Sequence, residues 1–273
     1  MTLCWVDGQP ADGLSVHDRG LAYGDGLFET IKVVGGRPEL LDRHLQRLEL
    51  GCRRLGIPCN IDVVREQIAT FSAELAEGVA KLIVSRGEGR RGYAQPNPIL
   101  PRVITLGSPS PNYPPAYAEQ GVHLYPCSTR LAEQPALAGL KHLNRLEQVL
   151  ARAEWQDSAY AEGLMRDMTG RVVEGVFSNL FIVKAGELLT PSLERCGVAG
   201  VMREELLHRA SQAGVKTQIT DISMERLLGA DEIFVCNSLY GVWPVRQFET
   251  SVWSVGPLTR KLQRLVADLS SNP

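Results

Sequence analysis

The chain has 273 residues, of which 44% are apolar and 22% charged, and a formal net charge of -2. That is the composition of a folded globular protein, long enough for one large or two modest domains and for a core that needs neither disulfides nor a structural metal. It excludes a disordered chain, a collagen-like rod and a basic nucleic-acid binder, and no apolar run approaches the roughly 20 residues that span a bilayer.

The opening MTLCWVDGQPADG has neither a basic start nor a sustained apolar stretch, so no secretory signal is expected. Residues 27–34 (LFETIKVV) are rich in β-branched side chains and precede Gly35-Gly36, which predicts a strand and a turn. Leu41, Leu45, Leu48, Cys52 and Leu55 follow at helical spacing, and Gly56 and Pro58 end that helix. A second helix is expected with Asp62 as its cap and with Val64, Ile68, Phe71 and Leu75 inward. Residues 81–85 and 102–106 are predicted strands flanking a polar, glycine-rich loop. Within that loop Gly87-x-Gly89-x-x-Gly92 spells a dinucleotide fingerprint, but the following YAQPNP cannot open a helix, so the fingerprint fails.

Four prolines in residues 108–117 (SPSPNYPPAY) predict an extended connector. The expected organisation is a small α/β domain over residues 1–108, a Pro-rich linker over 109–117, and a larger domain over 118–273. In the larger domain we expect strands near residues 122–126, 163–167, 172–174, 179–183, 215–219 and 231–236. Helices are expected over about 140–155, after a loop at 197, and over 258–269. Frequent hairpin turns make the class α+β rather than a purely parallel sheet. The six cysteines, Cys4, Cys52, Cys59, Cys127, Cys196 and Cys236, are scattered without C-x-x-C spacing; they are expected to be reduced thiols of a cytoplasmic protein with no metal site.

Among six lysines, Lys141 stands apart, set in LAGLKHLNRL at the entry to the helix predicted over 140–155. Apolar neighbours lower an amine pKa, as a Schiff-base lysine requires; equally, a surface lysine covers apolar residues with its stem. Glu174 lies between apolar flanks, where a carboxylate must be paired. It closes either a structural ion pair or a contact to a protonated ligand nitrogen. Residues 197–203 (GVAGVMR) place small residues before a helix, which is an ordinary entry loop or an anion site made of backbone N–H groups. Residues 236–238 (CNS) offer amide and hydroxyl donors, and Arg47 is either a solvated charge or a phosphate ligand.

Taken in order, residues 18–30 (DRGLAYGDGLFET), 41–48 (LDRHLQRL), 85–87 with 91–93 (SRG…RGY), 139–150 (GLKHLNRLEQVL), Glu174-x4-Asn179-Leu-Phe, GV-x-GVMR and CNS resemble the fold-type IV pyridoxal-phosphate enzymes. That family includes branched-chain and D-amino-acid aminotransferases. The KHLNRLEQ run resembles its lyase branch, which acts on aminodeoxychorismate in folate biosynthesis. The resemblance extends over about residues 1–245. It implies two domains, the larger with a β-barrel-like core, and a homodimer with a small-molecule substrate, no nucleic acid and no membrane. It implies that Lys141 holds pyridoxal 5'-phosphate as a Schiff base and that Glu174 faces the pyridine nitrogen. Arg47, the backbone of Val201 and Met202, and Ser238 are then the phosphate ligands, with Asn179 also counted among the cofactor-binding residues. Substrate carboxylates need cationic or amide partners, for which Arg91, Tyr93 and Arg102 are candidates, although a solvated arginine loop fits them equally. The alternatives are an aminotransferase on the same scaffold, which an oxo-acid dependence would reveal, and a non-catalytic dimeric binding protein, which would lack Lys141 or Glu174.

Overall fold

The computed structural model describes residues 3–270, with the side chains of 268 and 270 left aside. Two compact units divide the chain: Met1–Pro111 with Leu140–Asn144, and Asn112–Gly139 with Arg145–Pro273.

The first unit is built on an antiparallel sheet of six strands. Strand Gly26–Val34 pairs with Gly78–Ser85, which pairs with Arg102–Ser108 and then Cys4–Val6. The two-residue period of Gly26–Val34 buries Leu27, Ile31 and Val33, and sends Glu29 to the same core face. Helices Leu41–Leu55 and Ile61–Leu75 supply the opposing apolar stripe, Leu45, Leu48, Val64, Ile68 and Phe71. Gly56 ends the first of these in the left-handed conformation. The second is capped by Asn60 rather than the expected Asp62: the Asn60 side chain accepts from the N–H groups of Asp62 and Val63, and Asp62 is already helical.

The second unit is a mixed nine-stranded sheet. Its central strands are Asn179–Lys184, Glu232–Asn237, Gly241–Phe248, Val122–Leu131 and Tyr160–Asp167. The edge strand Val172–Gly175 curls back, with Val172 N–H donating to Ile222 O at 2.9 Å, which gives the barrel-like core. Leu180, Ile182, Val235, Trp243 and Phe248 fill it. Helices Val201–Gln212 and Pro257–Val266 complete the α+β unit.

The helix expected over 140–155 is shorter and covers Leu146–Ala153. Residues 140–144 are extended instead. Phe28 N–H donates to Lys141 O at 2.9 Å, Leu143 N–H donates to Gly26 O at 3.0 Å, and Leu27 bridges His142 antiparallel. Lateral pairing to strand Gly26–Val34 takes the peptide groups that a helix would have used, and it assigns Lys141 to the first unit rather than to residues 118–273.

Candidate active site

In the first unit, Leu140 anchors the extended segment in the core and Lys141 projects its Nζ over the Phe28 ring, 4.3 Å from the centroid. The Lys141 charge acts on His44, part of an ionic cluster that sequence reasoning missed. Glu29 is 1% exposed; its Oε1 accepts from Arg47 Nε at 2.9 Å and its Oε2 from Arg47 Nη2, and His44 Nδ1 lies 2.5 Å from Oε2. Burial works to raise the Glu29 carboxyl, but the Arg47 charge and the His44 hydrogen bond overcome it and hold it at about 2. Burial lowers the His44 pKa, and the charges of Arg47 and Lys141 act in the same direction. Arg47 therefore stands with its guanidinium fixed by a carboxylate. The sequence did carry a signal: alternation puts Glu29 on an apolar face, where a carboxylate needs partners, and His44 and Arg47 are one helical turn apart.

The glycine-rich loop is pinned through its backbone. Arg19 donates to the carbonyls of Gly92 at 3.1 Å, Ala94 at 3.2 Å and Tyr93 at 3.3 Å, and Tyr23 Oη accepts from Gly92 N–H at 3.0 Å. Asp25 ties Arg19 to Arg86. Arg91 is exposed and Tyr93 is 87% exposed, its ring 5.6 Å from that of Tyr23. Arg102 is paired with Asp7 at 2.5 Å and lies 3.8 Å from Glu88, so its charge is already answered within the chain.

In the second unit, Glu174 is the next-to-last residue of the edge strand and is 4% exposed. Its Oε2 accepts from Val198 N–H at 2.8 Å, while Asn179 Nδ2 donates to Val198 O at 2.8 Å. Two of the expected residues thus grip both backbone polar groups of one residue in the GVAGVMR segment. The glycines there are required by space. A Cβ on Gly200 would lie 1.9 Å from Asn179 Oδ1, and Gly197 has φ +89° with a Cβ position 3.2 Å from Glu174 Oε2. Gly200 is the N-cap of helix Val201–Gln212 and gives no side-chain cap, so the first-turn N–H groups around Val201 and Met202 are left to an external acceptor. Arg145 sits close enough for its charge to act on Glu174; burial lowers its own pKa and the Glu174 carboxylate works against that. Ser238 lies in the turn after strand Glu232–Asn237, half-buried.

A further buried carboxylate was not foreseen. Glu162 accepts from the N–H groups of Gly163 at 2.8 Å, Val176 at 3.0 Å and Phe177 at 3.4 Å, and from Ser178 Oγ at 2.6 Å. It fixes the connection between Glu174 and Asn179. Burial pushes its carboxyl up to about 7 against the pull of these donors.

Each unit carries groups of the kinds a pyridoxal phosphate requires: the first a lysine amine, the second a buried carboxylate suited to a protonated ring nitrogen and a glycine-lined helix terminus suited to a dianionic phosphate. The amino-transferase class IV family matches residues 26–248, and the chain belongs to that family. More narrowly, it is 39% identical over 265 residues to an aminodeoxychorismate lyase of Vibrio harveyi, covering 95% of this chain and 97% of that one. A 4-amino-4-deoxychorismate lyase of Pseudomonas aeruginosa has a solved structure that is 63% identical, with a TM-score of 0.96 over 97% of this chain and 98% of that one. The branched-chain amino acid aminotransferase of Escherichia coli is more distant, at 25% identity and a TM-score of 0.84 over 96% and 92%.

Proposed function

We propose that this protein is a pyridoxal-phosphate-dependent lyase that converts aminodeoxychorismate to 4-aminobenzoate and pyruvate, in the cytoplasm, as a step of folate biosynthesis. The observation that carries the cofactor assignment is the double grip of Glu174 and Asn179 on Val198, which sets a buried carboxylate beside an uncapped helix terminus. The 63% identity to the Pseudomonas aeruginosa lyase supports the choice of reaction.

Bound pyridoxal phosphate supplies an electron sink for charge that develops at the amine-bearing carbon of the substrate. Lys141 would hold the cofactor through Nζ, and its amine would serve as the base for the proton on that carbon. Glu174 would keep a proton on the pyridine nitrogen. Arg47, the N–H groups of Val201 and Met202, and the Ser238 hydroxyl would hold the phosphate, with Asn179 orienting the loop that presents those N–H groups. Substrate carboxylates fall to Arg91 and Tyr93; Arg102 is less suited because Asp7 holds it. Departure of the enol-pyruvyl ether leaves an aromatic ring, which favours elimination over amino transfer.

Helix Leu146–Ala153 supports a homodimer. Leu146, Val149 and Leu150 are spaced as one helical stripe and are 75%, 58% and 60% exposed, an apolar face suited to a second copy.

The test is pyruvate release from aminodeoxychorismate, coupled to lactate dehydrogenase, with catalytic cofactor and no oxo acid. The expected result is stoichiometric pyruvate and fluorescent 4-aminobenzoate. No pyruvate, together with amino transfer from leucine or D-alanine to 2-oxoglutarate, would replace the lyase by an aminotransferase.

A further inference from the structure

Strands Val122–Leu131 and Tyr160–Asp167 run parallel, and their register sets Arg130 directly beside Arg166. Each arginine is the next-to-last residue of its strand. Two guanidiniums in partner positions repel, and folded chains usually interleave a carboxylate. None does so here. The adjacent Asp167 is spent on Arg171 and Thr169. Glu249 is near enough for its field to reach Arg166 but closes no ion pair with it among the described residues. Arg130 Nη1 and Arg166 Nε are both shielded from solvent, and neither donates to any acceptor among the described residues. A buried N–H without an acceptor forfeits its hydration with nothing in return, and here two such groups, each on a cation, are neighbours.

We propose that Arg130 and Arg166 form a binding site for a small oxyanion, a carboxylate or a tetrahedral sulfate- or phosphate-like group. The guanidinium fork matches both oxyanion shapes. The strand ends open outward: Ser128 is exposed before Arg130, and Met168, 70% exposed, follows the second strand. The site uses none of the residues assigned to the cofactor, so it stands or falls independently of the lyase assignment.

The test uses the cofactor-loaded protein, in which the phosphate-binding groups of the catalytic site are already filled. Melting is followed in sulfate, in acetate and in chloride at matched ionic strength, for wild type and for Arg166→Leu. Anion at ten times its dissociation constant raises the folding equilibrium about tenfold in wild type. In Arg166→Leu that response is lost, while in chloride the variant melts no lower than wild type, because a like-charge contact has been relieved. A response to sulfate alone assigns a tetrahedral ligand, and a response to acetate assigns a carboxylate. Where sulfate gives the response, a crystal of the wild-type holoenzyme soaked in selenate supplies a readout that does not depend on the variant's folding: an anomalous peak between the two guanidiniums is expected. Equal anion responses in wild type and Arg166→Leu, a sulfate response without a selenate peak, or a carboxylate of a second copy seated on the pair would each overturn the proposal.

Discussion

Glu174→Gln separates the charge of the candidate pyridine partner from its scaffolding. Glu174 Oε2 accepts from Val198 N–H at 2.8 Å, and a glutamine carbonyl oxygen of the same reach accepts the same bond. The grip on Val198 is completed by Asn179 Nδ2, which the substitution does not touch. Folding and cofactor retention should therefore change little. What disappears is the negative charge. A neutral amide cannot hold the proton on the pyridine nitrogen, and at a residue 4% exposed little water is present to screen the loss. A charge-assisted contact of this kind is worth about 2–4 kcal/mol at the transition state, or roughly 30–1000-fold in turnover. The assay is coupled pyruvate release at saturating substrate, with cofactor content read by absorbance and melting temperature measured in parallel. Turnover within about threefold of wild type at full cofactor occupancy, a barrier change under roughly 1 kcal/mol, would mean that Glu174 only supports the 197–200 loop.

Lys141→Ala should bind cofactor without covalent attachment and release no pyruvate; borohydride reduction followed by peptide mapping should tag Lys141, and a tag on Lys81 or Lys184 refutes the assignment. Gly200→Ala should lower cofactor affinity, because its Cβ would sit 1.9 Å from Asn179 Oδ1 and displace the amide that grips Val198. Overpacking and the lost hydrogen bond together cost about 1–3 kcal/mol, a roughly 5- to 150-fold weaker dissociation constant by fluorescence titration. Glu162, raised to about 7 from an ordinary 4.5, holds a proton longer in the folded than in the unfolded state. Its contribution to stability is present in acid and lost as pH rises from 4.5 to about 7, so Glu162→Gln should flatten the fall in urea midpoint between those limits. An unchanged pH slope in the variant would show that Glu162 does not titrate there.

Much of the fold was legible where one period dominated. Strand Gly26–Val34 alternates cleanly, and Leu41, Leu45, Leu48 and Cys52 trace a single helical face. Strand Gly241–Phe248 was not legible because Pro244 argues against a central strand. The register explains how it is tolerated: pairing with Glu232–Asn237 ends at Pro244, and pairing with Val122–Leu131 begins at Val245, so the missing N–H falls where the ladder changes sides. The apolar spacing of Leu140, Leu143 and Leu146 imitates a helix, and only the partner strand reveals that residues 140–144 pair sideways. In the candidate site, motif spacing found Glu174 and Asn179, but Glu29 and Glu162 were hidden, since their significance lies in donors that are distant in sequence.

The spacing Glu174-x4-Asn179 has a physical reason. Glu174 is the next-to-last residue of one strand and Asn179 opens the next, with Gly175 N–H donating to Ser178 O at 2.8 Å across the turn. A Cβ on Gly175 would lie 2.3 Å from Ser178 Oγ and 2.8 Å from the Glu162 carboxyl carbon, so the turn must be this tight for Glu162 to collect Val176 N–H, Phe177 N–H and Ser178 Oγ. With the turn held from beneath, the two flanking side chains reach the N–H and the C=O of Val198 from fixed positions. Gly200, lacking a Cβ, then lets helix Val201–Gln212 start where Asn179 Oδ1 would otherwise block it. The charge on Glu174 and the direction of the first-turn N–H groups are thereby set by one continuous arrangement, and a change at Glu162 propagates to both.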